Sequence, residues 1–441
     1  KVMKKSETFR KHRRNLGQLL EPKSLAIISS AEEKYRSNDV PYPFRQDSNF
    51  YYLTGYDYPN AIMVIVKLTK NTYKEFFFSK EPNELDEIWT GKIPKKSEIK
   101  KLFDFENTDY VSHLPTFLEG YLSKVEFVYH SQNKSNVAQE ILDEKILKIK
   151  KRYRKGLVPP TKFHCIDSLI QKLRLIKDQF EINNIRKSAS ISVDAHNMLM
   201  RKCKPGIYES DIQHFLASRF YESNASEAYP SIVASGENAC VLHYTDNNKK
   251  LKDKELLLTD AACELNNYTS DITRTIPING KFSDTQKLIY NIVLNAQIKS
   301  LNKCQPNNTL EDIHNEAVRW ISKGLINIGL LKGKLTDVIK SKSYLKFYMH
   351  GTGHWLGLDV HDPCRYKVNE KPILLKPGMI FTVEPGIYIR PSAGVPKKYH
   401  NIGIRIEDDV LITKSGCEIL TKGTPKTIKE IEEIMSENYV R

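Results

Sequence analysis

Four carboxylates and one imidazole in the second half of the chain have the composition of a site for divalent metal ions. Such hard, oxygen-rich ligands suit two divalent ions that share a water molecule, whereas a structural zinc site would be rich in cysteine. If these side chains converge, the chemistry that they predict is hydrolysis. The five candidate ligands are Asp260, Asp271, His354, Glu384 and Glu407.

The two aspartates are predicted to face each other across a β-hairpin. Asp260 ends an apolar segment, and Asp271 begins a segment with strand character. Their midpoint falls between Leu265 and Asn266, so a turn at that point would place the carboxylates side by side. Facing carboxylates repel each other, and a shared cation removes the conflict. Taken alone, two unrelated surface aspartates explain the pattern equally well.

A glycine-rich segment from His350 to His361 contains three histidines, namely His350, His354 and His361. Its three glycines allow the backbone to approach a ligand closely. Imidazole is a common metal ligand and proton shuttle, so three histidines in this setting favour a site over a structural role.

Glu384 and Glu407 each lie beside a predicted strand. Glu384 ends an apolar segment and precedes a Pro-Gly turn, which would direct the carboxylate into a cleft. Arg405 and Glu407 alternate on one face of the next strand, so Arg405 is a candidate to orient a ligand carboxylate. The alternative is that the three consecutive acids beginning at Glu407 form a solvated turn.

Composition places the chain among globular proteins of two or three domains. It has 441 residues, of which 40% are hydrophobic, and its apolar runs are shorter than the roughly 20 residues that cross a bilayer. The net charge of +15 favours a lysine-rich surface over a nucleic-acid partner, because no nucleic-acid motif accompanies it. Seven cysteines without C-x-x-C spacing indicate a reducing compartment. The basic start, Lys1 to Arg14, is either the remnant of an organellar presequence or the first turns of a helix.

The first 150 residues alternate short apolar strands with helices, a pattern typical of an α/β domain. A basic segment with two prolines, Lys151 to Thr161, follows and indicates the end of this domain or a linker. Helices are predicted at Phe117 to Leu122 and Ser135 to Lys150. Strands are predicted at Leu25 to Ser29, Ala61 to Lys67, Glu75 to Ser79 and Val125 to Tyr129.

From Asp178 the order of elements changes to a helix pair followed by strands, and this order occurs twice. Asp178 and Glu181 have the spacing of a capping box, and His196 lies on the apolar stripe of the helix that follows. We therefore expect His196 to be a core residue. Helices are predicted from Asp178, Ser210, Asp284 and Thr309, and strands from about Ser231 to Ile276 and from about Lys346 to Thr413.

Together these motifs resemble the aminopeptidase P branch of the creatinase-like, or pita-bread, metallopeptidases, and the likeness extends over nearly the whole chain. Ala261-Ala262 and Ser270 depart from the family pattern at turns. The resemblance implies an α/β N-terminal creatinase-like domain (1–160), a linker (161–177), and an α+β pita-bread domain with pseudo-duplicated halves (178–441). The motifs that carry it are Phe44 to Gly55, Glu87 to Gly91, Gly236 to Asn238, Leu242 to Tyr244 and the five ligand positions.

The resemblance also implies a role for each site residue. The five ligands would bind two divalent ions, with manganese favoured over cobalt or zinc, and Asp271 and Glu407 would bridge them. An activated water would attack the carbonyl of the first peptide bond. The implied catalytic residues are His243, His361, Glu384 as proton shuttle, and Arg405. The implied substrate-binding residues are His350, His243 and His361.

The implied activity is removal of a single N-terminal residue from peptides or proteins. The substrates would be X-Pro peptides or presequence-processed intermediates of imported mitochondrial proteins. We expect a mitochondrial protein, in the matrix, with a cytoplasmic location as the alternative, and neither a nucleic-acid partner nor a membrane span. The family often forms dimers or tetramers. Two other functions stay open: an inactive pita-bread module that binds protein or nucleic acid, and a methionine aminopeptidase.

Overall fold

The computed structural model describes residues 5–131 and 137–437, and the chain divides into two units between Arg174 and Leu175. The first unit is built on a six-stranded sheet with the order β6-β5-β4-β1-β7-β8. Its strands are β1 (Ser24–Ser29), β2 (Tyr35–Ser37), β3 (Val40–Pro41), β4 (Ile62–Lys67), β5 (Lys74–Ser79), β6 (Asn107–Tyr110), β7 (Phe127–His130) and β8 (Lys162–Cys165). Its helices are α1 (Lys5–Leu19), α2 (Ser48–Thr54), α3 (Glu84–Thr90), α4 (Lys96–Phe103), α5 (Leu114–Tyr121), α6 (Val137–Lys150) and α7 (Asp167–Arg174).

The sheet of the first unit is mixed. Strand β4 runs antiparallel to β1 and β5, whereas the β1–β7, β5–β6 and β7–β8 pairs are parallel. Every residue of β4 is buried, because its apolar run is covered on both faces. The four predicted strands correspond to β1, β4, β5 and β7, and the two predicted helices to α5 and α6.

The expected linker and most of the basic start form regular secondary structure in this unit. The segment 161–177, expected as a linker, carries β8 and α7, and β8 is an edge strand of the sheet. Most of the basic start is helical, since α1 begins at Lys5, but its first four residues lie outside the described residues. The first two residues of the helix predicted from Ser135 lie outside them as well.

The second unit contains the remaining elements. Its helices are α8 (Gln179–Lys202), α9 (Glu209–Glu222), α10 (Asp284–Leu301), α11 (Leu310–Asn327), α12 (Leu335–Lys340) and α13 (Ile428–Ser436). Strands of its first half are β9 (Ser226–Glu227), β10 (Ile232–Ser235), β11 (Leu256–Asp260), β12 (Cys263–Leu265), β13 (Tyr268–Thr269) and β14 (Thr273–Pro277). Strands of its second half are β15 (Lys367–Val368), β16 (Lys371–Pro372), β17 (Ile380–Val383), β18 (Gly386–Ile389), β19 (Ile402–Arg405), β20 (Asp408–Ile412) and β21 (Cys417–Ile419).

The predicted recurrence of a helix pair followed by antiparallel strands is present in this unit. Helices α8 and α9 precede the β10-β11-β14 sheet, and α10 and α11 precede the β17-β20-β21 sheet. The predicted capping box is formed, because Asp178 Oδ1 accepts from the Glu181 backbone at 3.1 Å and the Glu181 carboxylate accepts from the Asp178 backbone at 3.0 Å. His196 is fully buried, with Nε2 2.8 Å from the Ala261 carbonyl, so it is a core residue as predicted.

Each half contains a hairpin that bends partway along its length. The β11–β14 ladder bends into the short β12–β13 ladder, which closes in a turn at Asn266 and Asn267. Both asparagines have positive φ, 53° and 65°, as a two-residue hairpin turn requires. In the second half, the β17–β20 ladder bends into β18–β19. The four carboxylates predicted as ligands all lie at these two bends.

Some elements differ from the sequence expectation. The strands expected from Lys346 begin later, since the glycine-rich segment up to Tyr366 is mainly loop, with one bridge from Trp355 to Phe381. Helices α12 and α13 were not predicted. Among the helices described, none is long and apolar enough to cross a membrane.

Candidate active site

A cavity of about 260 Å³ in the second unit brings together all the residues predicted from the sequence to form the site. Leu242, Gly351 and Gly353 complete its wall. The predicted residues that line it are His243, Asp260, Asp271, His350, His354, His361, Glu384, Arg405 and Glu407.

The two aspartates meet at the bend of the first hairpin, but not through the register that the sequence suggested. Asp260 is paired with Thr273, and Asp271 lies just before β14 rather than inside it. The carboxylates are nevertheless neighbours, since the hydroxyl of Tyr229 lies 2.7 Å from Asp260 Oδ1 and 2.6 Å from Asp271 Oδ1. The bend therefore brings the two carboxylates together, as the predicted cross-strand pair would have done.

His354 is oriented by its backbone surroundings. Its Nδ1 lies 3.1 Å from the Trp355 carbonyl, which can only accept, so Nδ1 carries the proton and Nε2 faces the carboxylates. Nε2 is 3.3 Å from Asp271 Oδ2 and 3.4 Å from Glu384 Oε1. The backbone before His354 lies directly against strand β17 at Gly353. A Cβ at this position would lie 1.9 Å from the carbonyl oxygen of Thr382, so a side chain there would clash.

Glu407 belongs to the cavity and not to a solvated acidic turn, so that alternative is wrong. It is only 2% exposed, and the hydroxyl of Thr273 donates to its Oε2 at 2.6 Å. The next two acids are fully buried as well: Asp408 forms an ion pair with Arg274, and Asp409 accepts from the backbone N–H of Asp271 at 3.0 Å.

Arg405 connects both hairpin bends. Its Nη2 donates to Asp260 Oδ2 at 2.7 Å, and its Nε donates to Thr273 Oγ1 at 3.1 Å. Thr273 in turn donates to Glu407, so the guanidinium holds one carboxylate directly and another through a hydroxyl. Its Nη1 also donates to the Tyr388 hydroxyl at 2.9 Å. The sequence predicted that Arg405 orients ligand carboxylates, and these contacts give it the means.

Electrostatics at the centre of the cavity favour cations. Burial raises the pKa of Asp271, and burial together with neighbouring acids raises the pKa of Glu384 to about 7 and that of Glu407 well above its usual range. For His354, burial alone would lower the pKa, but Asp271 and Glu384 outweigh it and raise the value to about 9. Without cations the cluster therefore retains protons that free carboxylates would lose.

This donor set fits a pair of hard divalent ions. A shared ion would relieve the repulsion that raises the carboxyl pKa values, and it would accept the lone pair of His354 Nε2. Within the described residues, the ligand atoms of Asp271, His354 and Glu407 lie within 4.8 Å of one another. Glu384 extends this group on the His354 side, and Asp260 extends it on the Tyr229 side.

The remaining histidines lie around the cluster. His243 and His361 are exposed, and the ring of His361 lies 4.3 Å from that of His354 in an edge-on arrangement. His350 is half-buried, with Nδ1 2.7 Å from the Gly351 carbonyl and Nε2 2.8 Å from the Tyr388 hydroxyl. Burial lowers the pKa of His350 to about 4, so the ring is neutral, with its proton on Nδ1.

Four residues of this site were not identified from the sequence: Tyr229, Thr273, Thr382 and Tyr388. Thr382 donates to Glu384 Oε1 at 3.2 Å, and the other three make the contacts already described. Thr273 and Tyr388 lie two and four residues from predicted ligands, so a search for hydroxyls at these spacings would find them. Tyr229 carries no such signal, because it lies 31 residues from the nearest ligand that it contacts.

Comparison with known proteins agrees with this geometry. A model of metallopeptidase family M24 matches residues 183–414, and one of the aminopeptidase P N-terminal domain matches residues 9–129. The chain belongs to metallopeptidase family M24. Its class is that of the aminopeptidase P-type metallopeptidases, which are hydrolases. The expected fold, a creatinase-like domain followed by a pita-bread domain, is thereby confirmed.

Its M24 relatives come from bacteria and from eukaryotes. The chain is 37% identical to a Xaa-Pro aminopeptidase of Escherichia coli, covering 97% of each chain. It is 33% identical to "Intermediate cleaving peptidase 55, mitochondrial" of Arabidopsis thaliana, covering 98% of this chain and 83% of that one. Aminopeptidase P from E. coli with the inhibitor Pro-Leu superposes with a TM-score of 0.95 at 37% identity, covering 98% of this chain and 99% of that one.

The affinity of this M24 site for Mn²⁺ is expected to rise as the pH increases from 6 to 9. Ligands must be deprotonated to bind a metal, and the raised pKa values of Glu384 and His354, about 7 and about 9, keep both groups protonated at pH 6. Each proton released should raise the affinity by about tenfold per pH unit over its titration range. Calorimetric titration of chelator-treated protein in buffers of different ionisation enthalpy measures both the Mn²⁺ affinity and the number of protons released on binding. An affinity that is constant over this range would contradict the assignment of the two ligands.

Proposed function

We propose that this protein removes a single N-terminal residue from peptides whose second residue is proline, using two divalent metal ions, with manganese favoured. The observation that carries the proposal is the cavity in which four carboxylates and His354 converge beside three further histidines and Arg405. The likeness to the Xaa-Pro aminopeptidase of E. coli supports it. The ions, when bound, would activate water and polarise the carbonyl of the first peptide bond.

The five ligand residues would divide between the two ions according to their positions. Asp260 lies on one side of the cluster, while His354 and Glu384 lie on the other. Asp271 and Glu407 lie between these sides, as expected for residues shared by both ions. Arg405, Thr273 and Thr382 would keep the carboxylates in place, because each donates to a ligand oxygen.

Glu384 is proposed to move the proton during cleavage. Its carboxylate can accept a proton and return it, as general acid–base catalysis requires. Its Oε1 is held near Thr382 and His354, and its Oε2 lies 3.9 Å from His350 Nδ1. The carboxylate is thereby fixed at the wall of the cavity, where it can pass the proton to the leaving amine.

His243 and His361 are proposed to hold the scissile peptide. Both are exposed and line the cavity, and burial together with nearby His354 lowers the pKa of His361, which keeps that ring neutral. A neutral imidazole can donate one N–H to a carbonyl oxygen without adding a second charge to the site.

Preference for proline is supported by the state of His350. A proline in second position has no N–H to donate, so its ring is best placed against a surface with no free acceptor. Both nitrogens of neutral His350 are already engaged, one with Gly351 and the other with Tyr388. The ring of His350 is therefore proposed to line the pocket as a face rather than as a hydrogen-bonding group.

Restriction to one residue is supported by the charge of the cavity. Its four carboxylates favour the positively charged free amine at the N-terminus of a peptide. All five ligands are present, which disfavours an inactive binding module, and the aminopeptidase P N-terminal domain disfavours a methionine aminopeptidase.

A second candidate substrate is a presequence-processed intermediate of an imported protein, which would place the enzyme in the mitochondrial matrix. It is supported by the 33% identity to the Arabidopsis protein named as a mitochondrial intermediate cleaving peptidase. The Xaa-Pro aminopeptidase of E. coli, at 37% identity, supports instead an X-Pro enzyme, for which we propose the cytoplasm as the alternative location. The two candidates require the same chemistry and differ in the residue that follows the cleaved bond.

Release of the first residue from three peptides, with Mn²⁺ and with chelator, separates these candidates. The first peptide has proline second, the second is identical except for alanine there, and the third begins with Tyr and lacks proline. We expect the proline peptide to be cleaved at least about tenfold faster than its alanine partner, only with metal. Preferred cleavage of the third peptide would favour intermediate trimming. No metal-dependent cleavage of any peptide would reject an aminopeptidase.

A further inference from the structure

Tyr229 occupies a position between the two aspartates that no proposed catalytic step uses. It lies in the segment between β9 and β10, and its ring packs against the buried side chains of Val193, Ala262 and Ile272. The backbone N–H of Ala228 donates to the Ala262 carbonyl at 2.9 Å, which ties this segment to the bend of the first hairpin. The tyrosine is therefore fixed to the same piece of backbone that carries the aspartates.

The hydroxyl of Tyr229 is shared between two carboxylates. It lies 2.7 Å from Asp260 Oδ1 and 2.6 Å from Asp271 Oδ1, yet a phenol has one proton to donate. The hydroxyl thus sets the separation of the two oxygens, because both must remain within hydrogen-bond distance of one atom.

This contact involves Asp260 and the shared Asp271, but not the side of the metal-ligand cluster formed by His354 and Glu384. In the described part of the chain, the hydroxyl hydrogen bonds to Asp260 and Asp271 and to no other proposed ligand. On the other side, His354 is held by the Trp355 carbonyl and Glu384 by Thr382. Without Tyr229, the Asp260 carboxylate would keep, among the described residues, only its hydrogen bond from Arg405.

We infer that Tyr229 is a positioning residue that holds Asp260 and Asp271 as a pair and thereby strengthens binding of one of the two metal ions. The ion affected most is the one that Asp260 would ligate, because the other ion, although it shares Asp271, would also be ligated by His354 and Glu384, which make separate contacts. The inference rests on the proposed two-ion site. Different contacts would thus hold the ligands of the two ions, so loss of the Tyr229 hydroxyl should weaken the binding of one ion more than that of the other.

The test is titration of chelator-treated protein with Mn²⁺, followed by calorimetry and by electron paramagnetic resonance of free Mn²⁺. Wild type should bind two ions. In Tyr229→Phe, one ion should bind about 10- to 100-fold more weakly, as expected for loss of a hydrogen bond to a charged group, and the other within about threefold of wild type. Tyr290→Phe is the matched control, because it removes a buried hydroxyl that donates to the Lys426 carbonyl outside the site.

A double-mutant cycle shows whether Tyr229 acts through Asp260. In an Asp260→Asn background, Tyr229→Phe should cause little further loss of Mn²⁺ affinity. This comparison is also valid if the single variant is less stable, provided that thermal unfolding shows both proteins folded. Equal weakening of both ions in Tyr229→Phe, or no weakening, would overturn the inference. Uptake of fewer than two ions by wild type would instead overturn the two-ion site, and the role of Tyr229 with it.

Discussion

Replacing Asp271 with alanine is expected to reduce peptide cleavage by at least about 10³-fold. This exceeds the 10- to 100-fold typical when a partner that merely holds a metal ligand is lost, because Asp271 is itself central to the cluster. Its Oδ2 is 3.3 Å from His354 Nε2, its Oδ1 faces Tyr229, and its backbone binds Asp409. The measurements are turnover of the proline peptide at saturating Mn²⁺ and the number of Mn²⁺ ions bound.

The fold should survive the same substitution. Burial and neighbouring acids raise the pKa of Asp271, so without ions this carboxylate is a cost to the folded state. In the presence of chelator, the melting temperature of Asp271→Ala should therefore be no lower than that of wild type. Asp337→Ala, which alters an exposed acid on α12, is the control for both assays. Full activity in Asp271→Ala would reject a metal mechanism that depends on this residue.

The ligand residues could be predicted from the sequence because their types and surroundings are unusual. Acids at the ends of apolar strands and histidines among glycines are informative without knowledge of the tertiary structure. The strand register around the two aspartates was harder to predict from the sequence. The sequence placed the turn between Leu265 and Asn266, but the turn lies at Asn266 and Asn267. The register of the hairpin is the same before and after its bend, and it pairs Asp260 with Thr273.

The residues that hold the ligands were harder to predict, because their contacts are long-range. Tyr229 reaches Asp260 across 31 positions, and Arg405 reaches it across 145. Local patterns identify an acid that could bind a metal, but not the hydroxyl or guanidinium that fixes it. The burial of Asp408 and Asp409 was missed for the same reason, since their partners Arg274 and Asp271 lie in the other half of the unit.

The two halves of the second unit are joined at the site by more than the proposed ions. The Glu407 backbone donates to the Thr273 carbonyl at 3.1 Å, and the Arg405 backbone donates to Thr275 Oγ1 at 3.2 Å. Strand β14 of the first half therefore contacts the β19–β20 bend of the second half. The carboxylates of the two bends face each other because these hydrogen bonds connect the two halves directly.

Replacing Arg274 with alanine should remove the strongest of these connections and lower the free energy of unfolding by about 3–5 kcal/mol. Its guanidinium is 1% exposed and lies 2.7 Å from Asp408 Oδ1, and it also donates to the carbonyls of Thr273 and Glu407. Loss of the arginine leaves the buried Asp408 carboxylate with Lys426 as its remaining cation, at 2.7 Å. Urea unfolding in chelator measures this stability without a contribution from metal binding.

The matched control is Arg186→Ala, because Arg186 also forms two hydrogen bonds to one carboxylate, that of Glu418, but both side chains are more than a third exposed. Exposed pairs contribute about 0–1 kcal/mol, so this variant should unfold near the wild-type urea midpoint.

The stability of the Arg274→Ala variant at low pH should distinguish it further from that of Arg186→Ala. Arg274 and Lys426 hold the pKa of buried Asp408 well below its usual range, so its stabilisation is present above the unfolded pKa and is lost as the pH falls through the lowered value. Arg274→Ala should lose part of that stabilisation at neutral pH already, and its stability should vary less between pH 4 and pH 2 than that of wild type. Equal urea midpoints for the two variants would show that the buried pair is replaceable, and the connection between the halves would then have to come from the backbone contacts alone.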